Sequence, residues 1–398
     1  MNFRQQQGIT GRQAGAMTIA MSVTLLILLS ITVFTVHGSI TTETRVINTG
    51  LRSQQAFEAA EGGLTAAIDY LNNDWDRDDD GNVDPVYDTD ADGIGDSNTA
   101  NVGDGKALIT TTLVSADPPI TIQLTSQGFS DDATANRTVS QVVSVPDPLP
   151  KLPDNPLSAR TNVTILGSAT IVNPEGNTNI WSGGDVDLGS NNSTATEIAD
   201  PQDPDYPECM QTALTCNTIR SSNKVNEGSD IVEKDANLKN RPDNELFEFY
   251  FGLTPSTYRD YVVSLETTGA SANADVQYAT EEIIWIEGDV DLANTTTIGC
   301  GTSPSSGGVC PAGQLKPSVL IINGDATFSG PTIFGLVYVT GNISVTSSTD
   351  VQGAMIVTGT LTNTTSGSLD IVYNSAVLQS VRRSGNMLPA AGTWKDFL

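Results

Sequence analysis

The sequence predicts an α+β, mainly β protein: a long N-terminal helix, a small antiparallel sheet and a β-solenoid-like C-terminal domain. Three observations carry that reading. Residues 16–36, AMTIAMSVTLLILLSITVFTV, are 21 consecutive residues without a charge. Residues 105–145 alternate apolar and polar side chains in three runs. Beyond the prolines near residue 150, a motif of glycine and β-branched residues recurs every 17 or 18 residues.

The uncharged run comes first. As a helix it is ~30 Å long, enough to cross a bilayer core. The hydroxyls of Thr18, Ser22, Thr24, Ser30, Thr32 and Thr35 can bond back to helix carbonyls. Arg4 and Arg12 precede the run, so a cytoplasmic N-terminus and an exported body are expected. A secretory signal peptide is the competing reading. Its apolar region would be ~7–15 residues long and end at an A-x-A-like site, which TVHGSI does not offer. From Ile40 to Leu71 there is no proline, and Ile47, Leu51, Ala56, Phe57, Ala60, Leu64, Ala67, Ile68 and Leu71 recur at helical spacings. Gly62 and Gly63 weaken this stretch by about 1 kcal/mol each. Residues 16–72 therefore read as one helix, half in lipid and half packed on a globular head.

Residues 73–100 hold two tandem D-x-D-x-D-G-x-x-D frames. The first is Asp76, Asp78, Asp80, Gly81, Asp84; the second is Asp88, Asp90, Asp92, Gly93, Asp96. Alternate carboxylates converge on a hard cation, glycine makes the sharp turn, and the carbonyls of Asn82 and Ile94 complete the shell. Calcium is the expected cofactor. The EF-hand's twelfth-position Glu is absent, with Tyr87 there in the first frame, and the spacing resembles thrombospondin type 3 and dockerin-like loops. A disordered acidic linker is the alternative.

Within residues 101–145, ALITTTLVS, ITIQLTSQGF and TVSQVVSV read as three strands. Residues 146–160 open with five prolines in 11 positions, a stiff linker and domain boundary. Residues 161–380 read as the solenoid. Its motifs align on Gly167, Gly184, Gly288, Gly324, Gly341 and Gly359, with residues 191–281 as an insertion leaving a corner. A sandwich of ordinary strands is the rival. The insertion contains one helical part, ELFEFYFGLTPSTYRDYV, whose aromatics Phe247, Phe249, Tyr250, Phe251, Tyr258 and Tyr261 serve either packing or a binding surface. Residues 381–398 form a tail in which Trp394 and Phe397 are positioned to dock on the head.

The net charge of −28, from 19 basic and 47 acidic residues, argues against nucleic acid as a partner. Cys209/Cys216 and Cys300/Cys310 are two close pairs, suited to local disulfides in an oxidising compartment, with free thiols as the alternative. The single histidine, His37, excludes a Ser-His-Asp or Cys-His engine. Asp185, Asp187, Asp289 and Asp291 recur within the repeats, either as stacked cation ligands or as caps of the solenoid corners. The chain is therefore not expected to be an enzyme; a membrane-anchored carbohydrate-acting β-helix enzyme is the minor alternative.

RQAGAMTIAMSVTLLILLS followed by TETRVINTGLRSQQAFEAAEGGL resembles the N-terminal region of PilX-type minor pilins of type IV pili. The likeness covers residues 8–72, and Ala56–Leu64 matches the family's A-x-x-A-A-E-x-x-L stretch. It implies a prepilin leader, residues 1–15, cut between Gly15 and Ala16, with N-methylation of the new terminus. Gly8 is a rival cut that would leave Arg12 at the head of the membrane segment. The resemblance implies other major and minor pilins, a prepilin peptidase, a pilus assembly platform and the inner membrane as partners. It places the chain in the inner membrane as a single-pass protein and then in the pilus, periplasmic to extracellular, with a carbohydrate or surface ligand if it is adhesive. Most major pilins carry Glu at the fifth mature position, and here Ala20 stands in its place. A subunit with nothing ahead of it in the filament has no use for that charge, so Ala20 points to the tip, or else PilX-like sequences tolerate the loss. The K-type minor pseudopilin of type II secretion is the alternative assignment. The loop reading is checked by calorimetry: Asp78→Ala and Asp90→Ala should each weaken calcium binding, and an unchanged titration refutes it.

Overall fold

The computed structural model describes residues 11–73, 99–102, 105–116, 118–190, 194–200, 202–206, 217–223, 225–301 and 315–396. The aspartate frames, Asp76 through Asp96, lie outside the described residues, as do Cys209, Cys216, Cys310 and Phe397.

Helix α1 runs from Gly11 to Asn73 without a break. At 1.5 Å per residue its 63 residues span ~95 Å. Its C-terminal third packs on an antiparallel sheet of β1 (Thr99–Val102), β2 (Gly105–Ser115), β3 (Ile120–Phe129) and β4 (Asn136–Val145), in that order. Ala60, Leu64, Ala67 and Leu71 meet Ile109, Ile122, Leu124, Val139 and Val143 in one core. The three alternating runs are thus half-buried strands, as their period of two requires.

The larger body is a three-faced parallel solenoid. Coil joins coil in parallel register: Val290 pairs with Ala326, Ala326 with Ile343, Ile343 with Leu361, Leu361 with Val163 and Val163 with Val186. The stacking order is not the chain order. The chain enters in the middle at 157–173 and winds through 180–199 to 231–232 at one end. It then crosses the outside and re-enters at the far end, 265–268. From there it winds back through 283–298, 318–334, 335–352 and 353–372 to rejoin the coil where it began, pairing Met355 with Leu157 and Ser368 with Ser168.

Two sequence expectations change here. Residues 191–281 are not one excursion: Thr194–Ala199, Ile231–Val232 and Leu265–Thr268 are solenoid strands. Residues 146–156 are not a free linker. They lie against the solenoid, with Leu149 fully buried, the Tyr258 hydroxyl donating to the Pro148 carbonyl at 2.9 Å, and the Tyr373 hydroxyl donating to that of Pro153 at 2.8 Å.

The outside crossing carries α2 (Ala236–Lys239), α3 (Asp243–Phe251) and α4 (Pro255–Tyr261). Gly252, left-handed at φ 71°, ends α3, and Thr254 caps α4, so the expected single helical part becomes two. Leu246, Phe247, Tyr250, Phe251 and Tyr258 bury Trp285, Ile321, Leu336, Tyr338 and Ile356 from outside. The same strands bury Ile284, Ile286, Leu320, Ile322, Val337 and Met355 inside. Strands covered on both faces read as continuous apolar runs, which is what EIIWIE, SVLII and GLVYV are.

Helix α5 (Ala272–Asp275) closes the far end: the Asn273 side chain donates to the Asp291 carbonyl at 2.6 Å and accepts the Ala293 N–H at 2.8 Å. At the other end Glu233 accepts the Val186 N–H at 3.1 Å. These bonds occupy edge groups of the end strands Val290–Ala293 and Val186–Asp187, which limits edge pairing on that face. After the last coil, α6 (Ser375–Val381) joins the outer cluster and the tail returns to the sheet. Leu388–Pro389 pairs with β4, and Trp394 sits edge-on to Phe57 of α1 at 6.3 Å. Cys300, which follows the coil strand Thr297–Ile298, is disulfide-bonded.

Asp350 and Asp370 face each other on adjacent coils. Burial first, and then the Asp370 charge, raise the Asp350 pKa. A raised folded-state value means stability present below the unfolded pKa of ~3.9 and lost as pH rises through the folded one. Asp350→Asn should therefore raise the melting temperature at pH 7, and the gain should shrink toward zero below pH ~4.

Candidate functional site

The stem of α1 is the feature around which the remaining elements are arranged. Every residue from 17 to 52 is exposed, including Leu25, Leu26, Leu28, Leu29 and Phe34. It is the one described helix long and apolar enough to cross a membrane, with a mean hydropathy of 2.5 over its best window. Within its apolar run, five hydroxyls bond back to the helix itself. Ser22 donates to the Ile19 carbonyl at 2.9 Å, Thr24 to Ala20 at 2.7 Å, Ser30 to Leu26 at 2.8 Å, Thr32 to Leu28 at 3.0 Å and Thr35 to Ile31 at 3.0 Å. A stem with its polar atoms internally paired can enter hydrocarbon. Gly15 and Ala16 lie in the first turns of α1, and Ala20 follows with no charge to place.

The stem leaves the sheet at a defined point. Arg52 pairs with Asp132 at 2.7 Å, and Arg137 donates to the Ser53 hydroxyl at 3.0 Å. Asp132 belongs to the turn between β3 and β4, where the Thr134 hydroxyl and N–H and the Ser130 hydroxyl donate to it. Those bonds, led by Thr134 and aided by Arg52, lower its pKa to about 2. The sequence places a turn between these two alternating runs, but SDDAT alone does not reveal that its Asp132 holds Arg52 of the helix.

Behind that point helix and sheet approach closely because the facing residues are small. Ala56, Ala59 and Ala60 are buried. A Cβ added at Gly128 would sit 2.1 Å from the Ala56 carbonyl oxygen and 2.3 Å from the Ala60 nitrogen. One added at Gly63 would sit 2.4 Å from the Ser126 hydroxyl oxygen and 2.5 Å from Ala107. Gly63, in the sequence only a weak point of the helix, is a packing requirement.

The recurring aspartates are structural where their bonds are described. Asp289 accepts the Asp325 N–H at 2.9 Å, Asp291 accepts the Ser329 hydroxyl at 2.7 Å, and Asp187 accepts the Gly189 N–H at 3.0 Å. Asp185 pairs with Lys234 at 2.9 Å. Asp185 and Asp289 stand at opposite ends of one corner column rather than side by side. Among the six aromatics of the crossing, Phe247, Tyr250, Phe251 and Tyr258 are core, while Phe249 and Tyr261 are exposed.

No protein-family model and no curated protein matches the chain. Among solved structures, the competence-associated pilin ComZ from Thermus thermophilus aligns over 87% of this chain and 97% of its own, at 12% identity and a TM-score of 0.25. A likeness that loose assigns no function.

Gly128→Val should part the helix from the sheet: overpacking here displaces backbone, a loss of ~1–3 kcal/mol or more. Limited proteolysis should then cut within residues 53–72, where the wild-type chain resists.

Proposed function

We propose that the chain is a PilX-type minor pilin that takes part in type IV pilus assembly. The observation that carries this is the length of the bare stem. A membrane anchor needs ~20 residues. Here residues 37–52 continue beyond the uncharged run, ~24 Å of further helix with Ile40, Val46, Ile47 and Leu51 more than half exposed. Apolar side chains on a helix clear of both lipid and head need cover, and stems of the same kind packed side by side in a filament provide it. A removable signal peptide or a simple anchor has no use for that second stretch.

On this reading a prepilin peptidase cuts between Gly15 and Ala16, and the inner membrane stores the subunit through residues 16–36. An assembly platform then moves the stem into a fibre of major and minor pilins. Ala20 supports a tip position, because a carboxylate there would neutralise a terminal ammonium only if another subunit lay ahead, and an unpaired one is costly in hydrocarbon. Calcium bound by the aspartate frames at 76–96 would brace the junction between α1 and the sheet. A large solenoid at the tip is suited to adhesion.

The test is the mature N-terminus. Mass spectrometry of the membrane-extracted protein should find an N-methylated Ala16, and purified fibres should contain the chain. An intact Met1, or a cut near residue 38, removes the pilin reading.

A further inference from the structure

We infer that the cleft between the proline-rich segment and the coil corner at 177–181 binds a neutral saccharide, a site that stands whether or not the stem enters a pilus. The cleft holds about 350 Å3 and is lined by residues 151–155, 177–178, Trp181, Val232, Phe249 and Tyr250. That is at the lower end of the ~300–1,000 Å3 of ligand clefts.

Its rings are set in advance. On α3, Leu246, Phe247, Tyr250 and Phe251 are at most 2% exposed, whereas Phe249 is 38% exposed. Phe249 is held by the Arg241 guanidinium 4.7 Å from its centroid and by the edge of Tyr250 at 4.9 Å. The Trp181 indole N–H donates to Asp235 at 3.0 Å, and Asp235 is itself fixed by capping α2. The exposed amide of Asn177 and the hydroxyl of Thr178 line the same cleft, while the Asn155 amide is buried and donates to the Leu157 carbonyl and the Ser158 hydroxyl.

Apolar rings beside an exposed amide and a hydroxyl match a sugar, which presents C–H groups on one face of the pyranose and hydroxyls around its edge. An acyl chain would offer the Asn177 amide N–H groups no acceptor. An anion is disfavoured by the net charge of −28, and the nearby cations are engaged: Arg241 on Phe249, and Lys151 6.0 Å from that ring and 3.7 Å from Asp154.

The experiment uses the full chain in zwitterionic micelles free of sugar-based detergent. Glucose, galactose, N-acetylglucosamine and their neutral di- and trisaccharides are titrated by saturation-transfer NMR. At least one should bind at millimolar affinity or better. Phe249→Ala and Asn177→Ala, both at exposed positions, should each weaken it ~10-fold, while Tyr261→Ala, at an exposed ring that does not line the cleft, leaves it unchanged. Circular dichroism and melting temperature establish that the variants fold; Trp181→Phe, which keeps a ring but removes the N–H, replaces any that do not. No binding by any sugar, binding indifferent to all cleft variants, or displacement of the sugar by a fatty acid or an apolar peptide overturns the proposal.

Discussion

The solenoid rests on one repeated contact: a corner side chain whose oxygen accepts a backbone N–H from the next coil. Asp289 accepts from Asp325 at 2.9 Å, Asp325 from Asn342 at 2.7 Å, Asn342 from Thr360 at 2.9 Å, and Asn162 from Asp185 at 3.0 Å. A strand leaving a sheet at a corner loses its ladder partners, and at these exposed corners a side-chain oxygen pairs the N–H within the fold instead of leaving it to water. An Asp or Asn at that point supplies the missing acceptor and passes the register upward. The residue before it must then let two backbones approach. A Cβ at Gly324 would lie 2.6 Å from the Gly288 carbonyl carbon, and Cβ atoms at Gly341 and Gly359 would each lie 2.4 Å from the carbonyl oxygen below. Glycine followed by Asp, Asn or Thr is the local solution to stacking coils at strand spacing. The motif therefore recurs whether or not any cation is bound. A second glycine column answers a different demand. Gly335 and Gly353, at φ 136° and 137°, bend two long strands around another corner in a conformation closed to other residues.

Winding from the middle outward gives the stack its second property. Each coil contacts only its neighbours, so a solenoid needs closed ends. Here neither end is a chain terminus: one is covered after residue 231 and the other by α5 before residue 283. Both termini of the solenoid segment sit instead at its centre, where 353–372 packs on 157–173. The Pro146–Pro156 segment entering and the α6 segment leaving thus lie near each other, and Arg382 pairs with Asp147 across them. That junction is what lets the tail reach back to β4 and lets Met387 donate its N–H to Asn72 of α1 at 2.6 Å.

Much of this architecture is legible in the order of the amino acids alone. A period of two marks the small sheet, a run of 21 uncharged residues marks the stem, and five of the six aligned glycines fall in one corner column or at its end. The sixth does not. Gly167 stacks on Gly367 at a different corner, where its Cβ would meet the Gly367 carbonyl oxygen at 2.2 Å. The position that pairs with Gly359 is Thr161. The mismatch is local: ILGSATIVN has the right composition one strand too late, and glycine marks every corner of a solenoid alike. Stacking order is hidden for a deeper reason. A repeat shows that coils exist, but each coil offers the same backbone edge above and below, so sequence does not say which coil follows which in space. The burial of residues 146–156 is hidden too, because proline fixes stiffness and not what the stiff segment lies against.

The stem shows why the two halves of one helix have to be read separately. Between Ala56 and Gly63 the buried residues facing the sheet are small, and backbone approach at Gly63 and Gly128 locks helix and sheet together. Before Arg52 nothing in the described chain covers the helix, and its hydroxyls turn inward to its own carbonyls. A single amphipathic stripe would not predict that change, because Ile40, Ile47 and Leu51 continue the same periodicity that buries Ala60, Leu64, Ala67 and Leu71. What differs is the partner. The first group has apolar surface and no sheet beneath it; the second has the sheet. Periodicity records that a face is meant to be covered, and only the structure shows which part of the cover this chain supplies itself and which part must come from lipid or from other chains.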